Sequence, residues 1–319
     1  MRLRSCVALV VSFLLLAQTA NAWWDGGHET VAYIAYKKLT PAIRTRVDAL
    51  LQRNPMYDTW TKGLPDEQKG LVAFVRAATW ADCIKSPKCA PGYTSDGGNG
   101  GNDPPGNPTD AQNIGYDDHL MHKYWHFIDM PYSAGAPGQP PKDPNALSEI
   151  KLLTDAIGTD KSDDIKSYDV VWLEHLVGDV HQPLHATSRF TKNHRDGDAG
   201  GNLVLFCSSP CPNELHAYWD SLMGDGPSIA DITTTGDQLL ARNEPAKANL
   251  ADPSQWIDES FALAKSKVYI APISDDNDPG PTISPWPDPS YAAQAERTAK
   301  SQVLLAGYRL ANLLNSHLK

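Results

Sequence analysis

Residues 170–185, VVWLEHLVGDVHQPLH, constrain the fold of this chain more than any other stretch. Val170, Val171, Leu173, Leu176, Val177 and Val180 recur at helical spacing and make a helix wide enough in its apolar surface to be buried on most sides. The same helix carries His175 and Asp179, four residues apart and therefore on one face. That face can present an imidazole and a carboxylate to one cation. Pro183 ends the helix, and His185 follows on the exit turn.

Most of the remaining chain also reads as helix. Thr40-Pro41 places a hydroxyl N-cap before a first-turn proline, and Ile43, Val47, Leu50 and Leu51 follow with helical spacing. Leu71 to Trp80 is a further apolar helical stretch, and Val303, Ala306, Leu310, Leu313 and Leu314 give the last helix one apolar stripe. Leu203 to Cys207 is the best candidate for a short strand. Residues 90–115, 131–146 and 272–289 are loops by their Gly, Asn, Asp and Pro content. None of them separates two self-sufficient helical halves. The expected fold is therefore mainly α, one domain over residues 23–319, with long loops and a short β-hairpin.

Residues 1–22 read as a secretory signal peptide: Arg2 and Arg4, then an apolar run from Val7 to Leu16, then Ala20-Asn21-Ala22 as a cleavage site. A retained anchor is the competing reading, but the apolar run falls short of the roughly 20 residues that span a bilayer. The chain is expected to be secreted or periplasmic, without stable membrane association. Cleavage takes two arginines and no acid, so the formal charge of −10 becomes −12. Such a balance excludes a grip on nucleic acid through a basic surface and leaves open a grip through metal ions. Four cysteines remain in an oxidising compartment, and their proximity favours Cys83–Cys89 and Cys207–Cys211 disulfides. Thiolate metal ligation is the alternative, though neither spacing is C-x-x-C.

The other histidines repeat the pattern of the first helix. His216 and Asp220 lie four apart in HAYWD, His126 sits in YWHFID with Asp129 three residues on, and Asp82 sits in TWAD. One His-x-x-x-Asp pair alone reads first as an ordinary capped or salt-bridged helix pair. Two such pairs raise the case for zinc, which takes imidazole nitrogen and carboxylate oxygen readily. His119, His122, His181, His194 and His317 fall outside the pattern, His181 reading as a structural hydrogen-bonding residue. After cleavage the chain would begin Trp23-Trp24-Asp25-Gly26-Gly27-His28. A free α-amine with a pKa near about 8 becomes a usable ligand once deprotonated.

In order and spacing these motifs resemble the zinc-dependent single-strand nucleases of fungi and plants, the nuclease S-one/P-one type, in the superfamily that includes zinc phospholipase C. The motifs are W-x4-H at 23–28, W-A-D at 80–82, H-F-I-D at 126–129, H-x3-D-x5-H at 175–185, G-G-N at 200–202 and N-x-L-H-x3-D at 213–220. The resemblance runs over nearly the whole chain beyond residue 22.

The resemblance implies three Zn²⁺ ions. One would take Asp82, His126, His175 and Asp179. The second would take the amine and carbonyl of Trp23, His28 and a bridging Asp179. The third would take His185, His216 and Asp220. It further implies a metal-bridging hydroxide attacking phosphorus in line, with Asp129 orienting the water and a 5′-phosphate as product. Substrates would be single-stranded DNA and RNA, with 3′-nucleotidase activity on 3′-nucleotides and no protein partner. Lys85 stands where the fungal enzymes carry a phosphate-binding Arg, keeping the charge without the planar fork. Phe127 is the base-stacking candidate, against the alternative of core packing. Asn202 would hydrogen-bond a base or cap a turn. Two other readings compete: a zinc phospholipase C acting on phospholipid head groups, and an exported metal-binding protein without turnover.

Overall fold

A computed structural model describes residues 23–87, 89–106, 113–207, 214–273 and 287–319. The proposed signal segment 1–22, Cys211 and most of the 272–289 loop lie outside the described residues. The architecture is mainly helical. Helices α1 (Asp25–Lys38), α2 (Pro41–Leu51), α3 (Tyr57–Thr61), α4 (Asp66–Ala77) and α5 (Trp80–Cys83) precede the first strand, β1 (Pro131–Ser133). Next come α6 (Ala146–Ile157), α7 (Asp163–Asp179) and the strand β2 (Ser188–Phe190). The chain ends with α8 (Leu215–Asp220), α9 (Ile229–Leu240), α10 (Pro253–Leu263) and the long α11 (Pro289–His317).

Two helices are enclosed. Helix α7 is buried without interruption from Lys166 to Asp179, as its apolar circumference requires. Helix α1 is buried from Gly26 to Tyr36 and packs against α11, α9, α4 and α7. Its approach to α11 is close enough that a Cβ at Gly307 would stand 2.5 Å from Ile34 Cγ2, so no larger residue fits there without displacement. The larger core gathers these helices around Trp80, Trp125, Trp172 and Trp256. A smaller cluster around Phe206, Trp219 and Tyr291 lies beneath α8 and the start of α11.

Local signals explain most boundaries. Thr40 accepts a hydrogen bond from the Ile43 amide, with Pro41 at the first helical position. Asp288 caps α11 by accepting from the Ser290 amide at 2.7 Å. The expected helix Leu71–Trp80 is instead broken: α4 ends at Ala77, and α5 restarts at Trp80 after a turn at Ala78–Thr79. The break frees the Ala78 carbonyl for a side chain of the site described below.

The expected hairpin is not what the strands form. β1 and β2 pair in parallel, Pro131 opposite Ser188 and Ser133 opposite Phe190. Parallel pairing needs a long crossover, and α6 and α7 supply it. β1 thus forms within the stretch expected to be loop, with Pro131 at its first residue, where a missing N–H is tolerated. The expected strand Leu203–Cys207 makes a single antiparallel bridge, Leu205 to Glu214, and leaves Leu203 58% and Leu205 47% exposed. Cys83 and Cys89 form the expected disulfide. Cys207 is disulfide-bonded as well. Among the described residues no helix is long and apolar enough to cross a membrane.

Candidate metal centre

Three clusters of His and Asp lie in the interior, each with one ligand atom per residue within 4.8 Å of the others: His28, His175 and Asp179; Asp82, His126 and His175; His185, His216 and Asp220. These are eight of the nine residues expected from the sequence. The last turn of α7 supplies His175 and Asp179, and the first turns of α1 supply His28. The short α5 turns Asp82 inward, and a 3₁₀ turn, Lys123–His126, delivers His126. The 3₁₀ turn Pro183–Ala186 carries His185, and α8 holds His216 and Asp220 on one face.

Main-chain carbonyls fix three of the rings. His175 Nδ1–H donates to Ala78 O, His185 Nδ1–H to His126 O, and His216 Nδ1–H to Gly200 O, each at 2.7 Å. Each Nε2 is therefore a lone pair aimed into its cluster. His185 Nε2 and His216 Nε2 then stand 3.0 Å apart, and two lone pairs at that distance repel unless a proton or a cation lies between them. His175 Nε2 faces His126 Nδ1 at 2.9 Å. Both ring nitrogens of His28, together with Asp179 Oδ1, are buried with no hydrogen-bond partner among the described residues. A buried orphan of this kind costs about 1–3 kcal/mol, and a coordinated cation removes that cost. Imidazoles with carboxylates and no thiolate form a donor set that suits zinc and other first-row divalent ions.

The electrostatics divide: burial keeps four of the imidazoles neutral, whereas Asp179 and Asp82 raise His175 against its burial, and the buried acids are pushed toward the protonated form that a bound cation would have to displace. Burial holds His28, His126 and His185 well below the usual imidazole range, and His216 down at about 4. Neutral imidazole is the form that ligates. Burial also pushes Asp179 up to about 6 and Asp220 well above the carboxylate range. Gln182 steadies Asp220, donating from Nε2 to Oδ1 at 2.7 Å while its own Oε1 accepts from the Leu184 amide.

The remaining expected residues are placed as follows. Lys85 is buried at the centre: its Nζ lies 2.6 Å from Asp82 Oδ1, and its charge contributes to lowering His28, His126, His185 and His216. Trp23 is fully buried, its Nε1–H donating to Gly178 O at 3.1 Å, one residue from Asp179. The next amide, Trp24 N–H, donates to Asp220 O at 3.0 Å, so this segment runs between the first and third clusters. Asp129 belongs to none of the three clusters. Burial, with the charge of Asp198 second, raises its carboxyl to about 6. Phe127 is half-buried, follows His126 directly, and joins neither core cluster. Asn202 caps its turn, donating Nδ2–H to Ala199 O at 2.7 Å.

Sequence reasoning missed the carbonyls that orient the rings and the pin on Asp220 from Gln182. It also missed a fourth buried cluster. His122 donates through Nδ1 to Asp96 at 2.7 Å and through Nε2 to Asp118 at 2.9 Å, and stacks on Trp125 with centroids 3.8 Å apart. The positive φ of His122 and the buried acids on both nitrogens make this a structural clamp on the turn that carries His126. His181 has the structural role expected of it, donating to Val177 O and accepting from Arg309.

The S1/P1 Nuclease family model matches residues 23–319 of this chain. Nuclease S1 of Aspergillus oryzae (strain ATCC 42149 / RIB 40) is 24% identical over 324 residues, covering 95% of this chain and 94% of that protein.

Proposed function

The chain belongs to the S1/P1 nuclease family, a family of metal-dependent nucleases that hydrolyse nucleic acids, and from that premise we propose that it is an exported, zinc-dependent endonuclease of single-stranded DNA and RNA. It releases 5′-phosphate ends and has 3′-nucleotidase activity. The observation that carries the reading is the convergence of eight expected donors into three buried clusters, with three of the rings turned by main-chain carbonyls. Residues 1–22 act as a cleaved signal, and residues 23–319 form one catalytic domain.

Asp82, His126, His175 and Asp179 would hold one zinc; Trp23 through its amine and carbonyl, His28 and Asp179 would hold the second; His185, His216 and Asp220 would hold the third. When bound, the three ions supply Lewis acidity toward phosphate oxygens and lower the pKa of water. The protein's own side chains do the rest. Asp129, ionised above about 6, accepts a hydrogen bond from the attacking water and orients it. Lys85 shifts from Asp82 to a phosphate oxygen, as a point charge rather than a fork. Phe127 offers a face to a base, and base–aromatic stacking of about 1–3 kcal/mol suits unpaired strands of any sequence. Asn202 bonds a base edge through the atoms its turn leaves over.

Two assays test this. Zinc-loaded protein is expected to cleave denatured DNA and to free phosphate from a 3′-nucleotide, and to leave a lecithin emulsion without choline phosphate release. Lecithin turnover with no nucleotide turnover would favour the phospholipase reading, and stoichiometric zinc with neither activity a non-catalytic protein. A chain carrying one uncleaved residue before Trp23 is expected to lose most activity. Full activity there would remove the amine from the ligand set.

A further inference from the structure

The third cluster depends on a carbonyl, and that carbonyl sits in an unusual turn. Ala199, Gly200 and Gly201 all have positive φ, at 51°, 60° and 83°. A non-glycine residue in that region is strained, so something must hold the turn. Asp198 does so from both its main chain and its carboxylate. Its carbonyl accepts from the Gly201 and Leu203 amides at 3.1 and 3.2 Å. Its Oδ1 accepts from the Arg189 amide at 2.9 Å, the Gly201 amide at 3.2 Å and the Tyr269 hydroxyl at 3.1 Å. Its Oδ2 pairs with Arg189 Nε at 3.2 Å. Asp198 and Arg189 are both fully buried, and the Arg189 guanidinium lies 4.8 Å over the Tyr269 ring.

This turn delivers the Gly200 carbonyl to His216 Nδ1–H. Adding a Cβ at Gly200 would bring it within 2.5 Å of Leu184 O and 3.3 Å of His216 Nδ1, so the turn is pressed against both the His185 segment and the His216 ring. We propose that Asp198, anchored by Arg189 and Tyr269, is a positioning residue of the third metal cluster: it holds the 198–203 turn so that Gly200 O fixes the tautomer and direction of His216. The proposal rests on the reading of His185, His216 and Asp220 as a zinc site. Outer-shell partners of this kind change metal affinity by about 10–100-fold.

The test is a zinc titration of the metal-depleted processed chain, residues 23–319 with Trp23 at its N-terminus, reading equivalents bound and the affinity of each class, for the parent, Asp198→Asn and Tyr269→Phe. The amide of Asp198→Asn would point a donor at Arg189 Nε or lose an acceptor at Gly201. The parent is expected to bind three equivalents. Asp198→Asn should weaken one class by about 10–100-fold and leave the other two unchanged. Tyr269→Phe, which removes a single hydrogen bond and keeps the ion pair, should weaken the same class by a smaller factor and serves if Asp198→Asn does not fold. A purely structural role would lower the melting temperature without changing the ratio between classes. Equal third-class affinity in a folded Asp198→Asn chain, or in Tyr269→Phe when the other variant is unfolded, overturns the assignment to Asp198. A parent chain that binds fewer than three equivalents overturns the premise instead.

Discussion

Gly178 offers a test in which two physical effects predict opposite signs. It lies inside α7, where replacing glycine by alanine normally stabilises a helix by about 0.8–1 kcal/mol. A Cβ at that position would stand 2.8 Å from His28 Nδ1 and 3.1 Å from its Cε1. The His28 ring cannot simply swing away, because it stacks on His175 at 3.9 Å and is wholly buried. Overpacking of this sort costs about 1–3 kcal/mol, which offsets or exceeds the helix gain. Gly178→Ala should therefore be no more stable than the parent without metal. With metal it should fall further behind if the displaced ring is the ligand proposed above, and a loss of about 1.4 kcal/mol is a tenfold weaker site. Thermal melts in chelator and in zinc, with a competition titration, read both effects. A variant that gains about 1 kcal/mol in chelator and binds zinc like the parent would refute the packing argument.

Other expectations follow from the same geometry. His122, held near 9 by Asp96 and Asp118, carries stability that is complete below its unfolded pKa of about 6.5 and lost as pH rises through about 9. His122→Asn should thus flatten the decline in melting temperature between those values, and an unchanged pH slope would show that the clamp is not charged. Lys85→Met is expected to lower kcat/KM on denatured DNA while zinc binds at least as tightly, because a cation bonded to Asp82 opposes the metals; weaker zinc binding would contradict that placement. Chelator should lower the melting temperature of the parent chain, since metal binding to the folded ligand set adds to stability, and an unchanged melt would count against occupied sites.

The proposed ligands were more legible in the sequence than the frame around them. His175/Asp179 and His216/Asp220 were legible because an i, i+4 spacing survives in any helix, and both pairs do lie on one helical face. The break at Ala78–Thr79 was not legible, since neither Gly nor Pro marks it, yet it frees the carbonyl that orients His175. The parallel strands were hidden for a different reason. Pro131–Ser133 and Ser188–Phe190 are only three residues each, and their pairing is set by where His126 and His185 bring the chain. Ile128 N–H donates to His185 O, and His185 Nδ1–H to His126 O, so the two segments are already tied before the strands begin. The unbroken apolar run at 203–207 reads as a strand, but both leucines there face solvent. Asp198 reads in sequence as one acid of the loop segment RDGDAGGN, and only the fold reveals its buried partner Arg189.

In the proposed function, strand cleavage depends on bound metal. The direct measurement is the rate of hydrolysis of denatured DNA as metal-depleted protein receives zinc in counted equivalents. The rate is expected to rise to a plateau at the third equivalent, with 5′-phosphate ends on the products. Cleavage at full rate in excess chelator, or no cleavage with three zinc ions bound, would contradict it.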